Sequence, residues 1–330
     1  MVSKCQEYLG DVLKYIKPYL TKKGPPEGLQ ITYRTIGCLV RYWALMLATS
    51  KAQQLLFRII DFLLLPHALF HQDKNLPPAM LSNIRESLPQ FLQGLSIISR
   101  QSQAQGAYVK QQLRTIVQQY FGRFLPSVPS AGAGGNHPML LALSDTLESQ
   151  HSVHLRRIIM QVLSENYLQF RGNAPPPRLA SVLSFIFDAL NKSKNIDTFD
   201  AEALLPSVLK CLILVNEPQV KKLSAEVLQC IIENCQSDQT GETATTLASV
   251  LRKFIQENSL LYDQHIFGIL ETISVLDQPL VISLIPTITQ SLMDSEHKRG
   301  LGRNASSRAA YRRLLSLLGE QGQAALQTLD

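Results

Sequence analysis

Six basic residues and no acid occupy positions 298–313: Lys298, Arg299, Arg303, Arg308, Arg312 and Arg313. Arg308 and Arg312 stand four apart, which places them together on one helix face. Such a patch attracts phosphates or an acidic protein. The bland alternative is a solvated face, or one that pairs with acids of the same chain. Tyr311 is the only aromatic in the cluster, so a base-stacking groove is not indicated.

Other reactive side chains are sparse. His67 and His71 are four apart, but two histidines make only half of a zinc site, and a pair at a helix end after Pro66 is the simpler reading. His151 and His154 are similar. Cys230 and Cys235 miss the C-x2-C spacing, and Cys230 lies in an apolar stripe, so core packing is expected. Trp43 with Tyr42, Leu45 and Met46 also reads as core, with a surface aromatic anchor as the minor reading. Gly132-Ala-Gly-Gly135 follows Pro and Ser rather than a strand, and Gly300-Leu-Gly302 breaks a basic run. Neither is a phosphate-binding turn, and no Gly-x4-Gly-Lys or Gly-x-Ser-x-Gly pattern occurs. No catalytic, cofactor-binding or metal-ligating residue is assigned, and an enzyme is not expected.

The chain has 330 residues, of which 45% are hydrophobic and 18% charged. The charged share is below the roughly 25% of an ordinary soluble domain, which argues against a disordered chain. The net charge of +6 divides into blocks: +10 over 1–178, −8 over 179–297, +6 over 298–313 and −2 thereafter. Five cysteines, an odd number, suit reduced thiols in an intracellular protein. The start carries no apolar signal core. The stretch Leu55 to Leu65 is broken by Arg58 and Asp61, and Gln278 to Met293 carries Pro279 and Pro286. Neither reaches the roughly 20 apolar residues that span a bilayer, so no membrane association is expected.

The elements that must carry these residues are helices. Leu205, Val208, Leu209 and Leu212 recur at i, i+3, i+4 and i+7, and Leu223, Val227, Leu228 and Ile231 form a second stripe. Asn216-Glu-Pro218 separates them, which describes an antiparallel helix pair. The same periodicity predicts helices over 2–20, 29–48, 50–65, 77–99, 104–124, 138–149, 151–171, 176–193, 200–215, 218–235, 242–258, 261–277, 279–296 and 306–327. The small-residue run 126–137 reads as a flexible linker between an N-terminal helical array, 1–125, and a C-terminal HEAT-like array, 138–330. Prolines 89, 138, 206 and 286 open similar segments, each followed by a second helix led by basic residues, as in Tyr108-Val-Lys110 and Leu155-Arg-Arg157. Their separations of 49, 68 and 80 make a degenerate repeat. The expected fold is all-α: an irregular HEAT-like α-solenoid of stacked antiparallel helix pairs.

The stretch from Leu276 to Gly319 carries a family resemblance. Its most specific part is Lys298-Arg-Gly-Leu-Gly-Arg-Asn304, followed by a helix with Tyr311 ahead of Leu314 and Leu315. It resembles the C-terminal end of the methyl methanesulfonate-sensitivity protein 22-like family. Members of that family are several times longer, so the resemblance implies a C-terminal portion. It also implies a non-enzymatic scaffold in a nuclear complex with tonsoku-like protein, which recognises newly deposited histones. That complex acts on chromatin at stalled or collapsed replication forks. It promotes homologous-recombination repair by helping to load the strand-exchange recombinase on single-stranded DNA. Contact with recombinase, histone-bound chromatin and single-stranded DNA is expected to be indirect, and no Phe here has Ala three residues later, as a simple recombinase-docking peptide would. The alternative is a generic HEAT-type adaptor of another intracellular pathway. The basic cluster 298–313 is the candidate contact for partner or nucleic acid.

Overall fold

The computed structural model describes residues 4, 7–8, 11, 14–15, 26–61, 78–124, 138–143, 149–192, 196–236, 241–299 and 304–327. Among these, every regular element is a helix, and the only extended pairing is an isolated bridge between Arg171 and Ala174. The protein is therefore all-α. Two compact units divide it, Met1–Val162 and Leu163–Asp330. The linker expected at 126–137 lies outside the described residues, as do His67, His71 and most of the helix expected at 2–20.

The first unit contains α1 (Pro26–Tyr42), α2 (Ala44–Leu47), α3 (Pro78–Gln101), α4 (Gly106–Phe124), α5 (Pro138–Ala142) and most of α6 (Ser149–Tyr167). A further helical stretch covers 53–61. Helix α3 is the hub, with α1, α2, α4 and α5 all packed on it. Its Leu88, Phe91, Leu92 and Leu95 recur at helical spacing and are all buried. Gly94 lets α1 approach closely, since a Cβ there would lie 2.4 Å from the Val40 carbonyl oxygen. Polar ties run along α3. Arg41 Nε donates to Gln93 Oε1 (3.0 Å), and Gln93 Nε2 donates to the Ala142 carbonyl (3.0 Å). Ser96 Oγ donates to the His151 carbonyl (3.1 Å).

The second unit contains α7 (Leu179–Lys192), α8 (Thr198–Leu214), α9 (Pro218–Gln236), α10 (Glu242–Leu276), α11 (Gln278–Ile282), α12 (Ile285–Arg299), α13 (Ala305–Ser316) and α14 (Gly319–Gln327). A capping box of Asp197 and Asp200 starts α8, and Pro218 opens α9. The expected helix pair is present as α8 and α9. Contacts join α7 to α9, α8 to α9 and α10, and α9 to α10.

Several expected boundaries move, each for a local reason. The helices expected separately at 242–258 and 261–277 are present as the two arms of α10, which meet at a kink at Tyr262 (φ −132°, ψ 26°). At the kink the Asp263 carboxylate accepts the Gln264 amide (2.9 Å), a local bond that competes with the helical ladder. The helix expected at 279–296 breaks into α11 and α12. Pro286 lacks an N–H for the ladder and sits in the first turn of α12. The helix expected at 306–327 breaks at Gly319, whose left-handed φ of 62° an L side chain disfavours. The helix expected at 29–48 breaks at Trp43 (φ −105°, ψ 18°). Pro89 and Pro206 lie inside α3 and α8 rather than at helix entries. The expected burial around Trp43 is also corrected: Tyr42 is 77% and Leu45 67% exposed, because the break turns both outward.

Candidate functional site

The basic segment begins in the last turn of α12 and resumes in α13. Residues 300–303, with Arg303 among them, lie outside the described residues, as does the Arg299 side chain. One carboxylate ties α12 to the start of α13. Glu296 of α12 accepts the Asn304 backbone N–H (2.9 Å) and two bonds from the Arg308 guanidinium, Nε at 2.8 Å and Nη2 at 3.0 Å. Both side chains of this pair are mostly buried, 13% exposed for Arg308 and 11% for Glu296. A bidentate fork of this kind is directional as well as charged. Asn304 then caps α13, its side-chain oxygen accepting the amides of Ser306 (3.1 Å) and Ser307 (3.3 Å).

Helix α13 is fastened to α10 just beyond the kink. The buried Ser307 hydroxyl donates to the buried Asp263 carboxylate, and Gln264 Nε2 donates to Ser306 Oγ (2.9 Å). Tyr311, 1% exposed, packs edge-on against Phe267 and shares a hydrogen bond with Thr289. Burial pushes its phenol pKa up, with the Thr289 bond acting the other way. Leu314 and Leu315 are buried beside it. Asn304, Arg308 and Tyr311 thus dock α13.

The six basic residues therefore differ in role. Arg308 belongs to the clamp. Arg313 Nε reaches Glu271 of α10 at 2.6 Å, on a side chain that is 65% exposed. Arg312 and Lys298 are exposed, and Lys298 stands at the rim of a polar groove between α10 and α12 lined by Ser259, Thr287 and Ser291. The i, i+4 pair Arg308 and Arg312 does not present two equivalent cations. Its first member points to Glu296, a partner twelve residues away that spacing rules do not reveal.

The other candidate residues are accounted for more simply. Cys230 is buried with Asn191 and Asn234 near its sulfur, and Cys211 is buried with its thiol pKa pushed up to about 12 by desolvation. Cys38, Cys211 and Cys230 are free thiols. Among the described residues no cluster of His, Cys, Asp or Glu could hold a metal ion. No described helix is long and apolar enough to cross a membrane.

Comparison with known proteins decides the family. Residues 1–318 match the family described as S-phase genomic integrity recombination mediator, C-terminal. The whole chain is 59% identical to Protein MMS22-like of Gallus gallus and 52% identical to that of Homo sapiens. The chain belongs to the MMS22-like family. It spans 26% of the length of each of these two relatives. Protein MMS22-like of Danio rerio is 53% identical over 329 residues, again across 26% of its length. No solved structure matches the chain. The clamp of Glu296, Asn304 and Arg308 thus lies inside the MMS22-like family match.

Proposed function

We propose that this chain serves as the C-terminal scaffold portion of a non-enzymatic recombination mediator. In this reading its helices stack as an irregular HEAT-like solenoid. It works in the nucleus, on chromatin at stalled or collapsed replication forks, in a complex with tonsoku-like protein that helps load the strand-exchange recombinase on single-stranded DNA. The observation that carries the reading is the family match across residues 1–318. The solenoid is supported by contacts in the second unit that join helices to their next and next-but-one neighbours, as α8 meets α9 and α10. The basic residues of the C-terminal segment, Lys298, Arg299, Arg303, Arg312 and Arg313, are the candidate contact for a partner or nucleic acid, while Arg308 is mostly buried.

The test is affinity capture of the tagged chain from nuclear extract, read by mass spectrometry, with circular dichroism confirming that the bait is helical. Recovery of tonsoku-like protein supports the proposal. A folded bait that captures a cytoplasmic adaptor set without tonsoku-like protein contradicts it and favours a HEAT-type adaptor of another pathway.

A further inference from the structure

The groove between α10 and α12 has a regular polar wall and a volume of about 230 Å³. Thr287, Ser291 and Ser295 follow one another at four-residue steps on α12, so their side chains form one row with a spacing of about 6 Å. Ser259 lines the groove from α10, just before the kink at Tyr262. Ser259, Ser291 and Ser295 are buried, at 6%, 6% and 3% exposure. None of these three hydroxyls has a hydrogen-bond partner among the described residues.

Such hydroxyls are costly, since each gives up part of its water without gaining a partner. The same two helices close other hydroxyls on themselves: Thr289 Oγ1 donates to the Ile285 carbonyl (2.8 Å), and Ser274 Oγ to the Glu271 carbonyl (2.7 Å). A hydroxyl both donates and accepts, which is the capacity that a peptide group requires. The rim follows the same step, with Gln290, Asp294 and Lys298. Gln290 Nε2 donates to Asp294 Oδ1 (2.8 Å), and the one acid and one base leave this rim without net charge. The groove therefore does not select a strongly charged ligand. Among the described residues that line it, Leu260 is the only apolar one and none is aromatic. An amphipathic helix finds no row of apolar pockets there, and a sugar ring finds no face to stack on.

We propose that this groove holds an extended peptide segment of a partner protein through hydrogen bonds to its backbone. In an extended strand, alternate residues turn the same way and recur at about 6.7 Å. The hydroxyl row of α12 recurs at about 6 Å, so each hydroxyl meets a peptide group on the near edge of the strand. Ser259 supplies a bond from the opposite wall. The row from Thr287 to Ser295 covers about 12 Å at about 1.5 Å per residue, the length of roughly four strand residues. A compact ligand leaves most of that row unpaired. The site lies wholly in the second unit and does not depend on the complex proposed above.

The experiment is an NMR titration of the isotope-labelled full chain with a capped hexapeptide of alternating Ala and Gly. The amide signals of residues 287–295 are expected to shift and to saturate in the millimolar range. Oligosarcosine of the same length keeps the carbonyls but carries N-methyl groups in place of N–H, and is expected to bind at least about tenfold more weakly. The variant S259A/S291A/S295A is expected to bind the peptide at least about tenfold more weakly and to keep its helical circular dichroism, since alanine suits a helix interior better than serine. Equal shifts with the peptide and with oligosarcosine overturn the proposal. So does a parent chain that binds maltohexaose but not the peptide, one that binds neither, or a folded triple variant with the parent's affinity. If the triple variant is unfolded, S291A and S295A are measured singly, and two unchanged affinities overturn the proposal.

Discussion

Arg308 and Arg100 carry the same guanidinium, but they stand in opposite electrostatic settings. Arg308 is mostly buried and forked onto Glu296, and its charge is answered within the fold. Arg100 is exposed near the C-terminal end of α3, and its charge is among those that lower the pKa of His154. The C-terminal segment is the denser basic cluster in sequence, yet part of its charge is met within the fold. Local charge density in a sequence therefore does not measure the positive potential that a surface presents, because acids such as Glu296 and Glu271 arrive from other helices.

The comparison breaks most sharply at Glu296. Glu296→Ala leaves a mostly buried guanidinium without its carboxylate and the Asn304 N–H without its acceptor, so a loss of about 3 kcal/mol is expected in urea unfolding. A change below about 0.5 kcal/mol would mean that the clamp is ornamental. Gly94→Ala should cost about 2 kcal/mol, because the added methyl meets the Val40 carbonyl and forces α1 off α3. Helix propensity alone would make the same change favourable by up to about 1 kcal/mol, so the sign of the measured shift decides which effect wins.

The pH dependence tests the first unit. The folded pKa of His154 is pulled below its ordinary value, first by burial and then by Lys110, Arg100, His151 and Arg157, so the neutral ring is the form that the fold favours. The unfolded chain therefore takes up the proton first, below about pH 6.5, and the folded chain near pH 4. Its contribution is present above pH 6.5 and lost as pH falls toward 4. A loss on the order of 1 kcal/mol is expected over that window, reduced from the full shift because the ring is partly exposed. His154→Gln should flatten the stability profile there, and Lys110→Gln should move the His154 titration upward in an NMR series. A His154 titration that Lys110→Gln leaves unchanged would separate Lys110 from the charges that act on the ring.

Removing the cap should have a smaller effect. Asn304→Ala is expected to cost about 1 kcal/mol, since two α13 amides lose their acceptor. Arg313→Ala comes last, at about 0.5 kcal/mol or less, because its side chain is 65% exposed although it meets Glu271 at 2.6 Å.

Helical periodicity was enough to find α8 and α9, since Leu205, Val208, Leu209 and Leu212 repeat with the turn and a proline opens the next helix. It failed where a boundary depends on one backbone bond. Pro286 splits a continuous apolar pattern into α11 and α12, whereas the break expected between 258 and 261 falls close to the observed α10 kink at Tyr262. The basic segment was visible by composition, but its division into clamp and exposed cations was not, because Glu296 and Glu271 are distant in sequence from the arginines they meet. The charges that act on His154 left only a faint trace. Lys110 and Arg157 each belong to the basic lead of a second helix in the degenerate repeat, and both act on His154.

The most direct measurement sets Arg308→Gln beside Arg100→Gln and reads the urea-unfolding free energy of each. Arg308→Gln is expected to lose about 3 kcal/mol of stability. Arg100→Gln is expected to keep its stability within about 0.5 kcal/mol. An Arg308→Gln chain as stable as the parent, or an Arg100→Gln chain that loses as much as Arg308→Gln, would contradict the division between a cation that holds the fold and one that stands exposed on it.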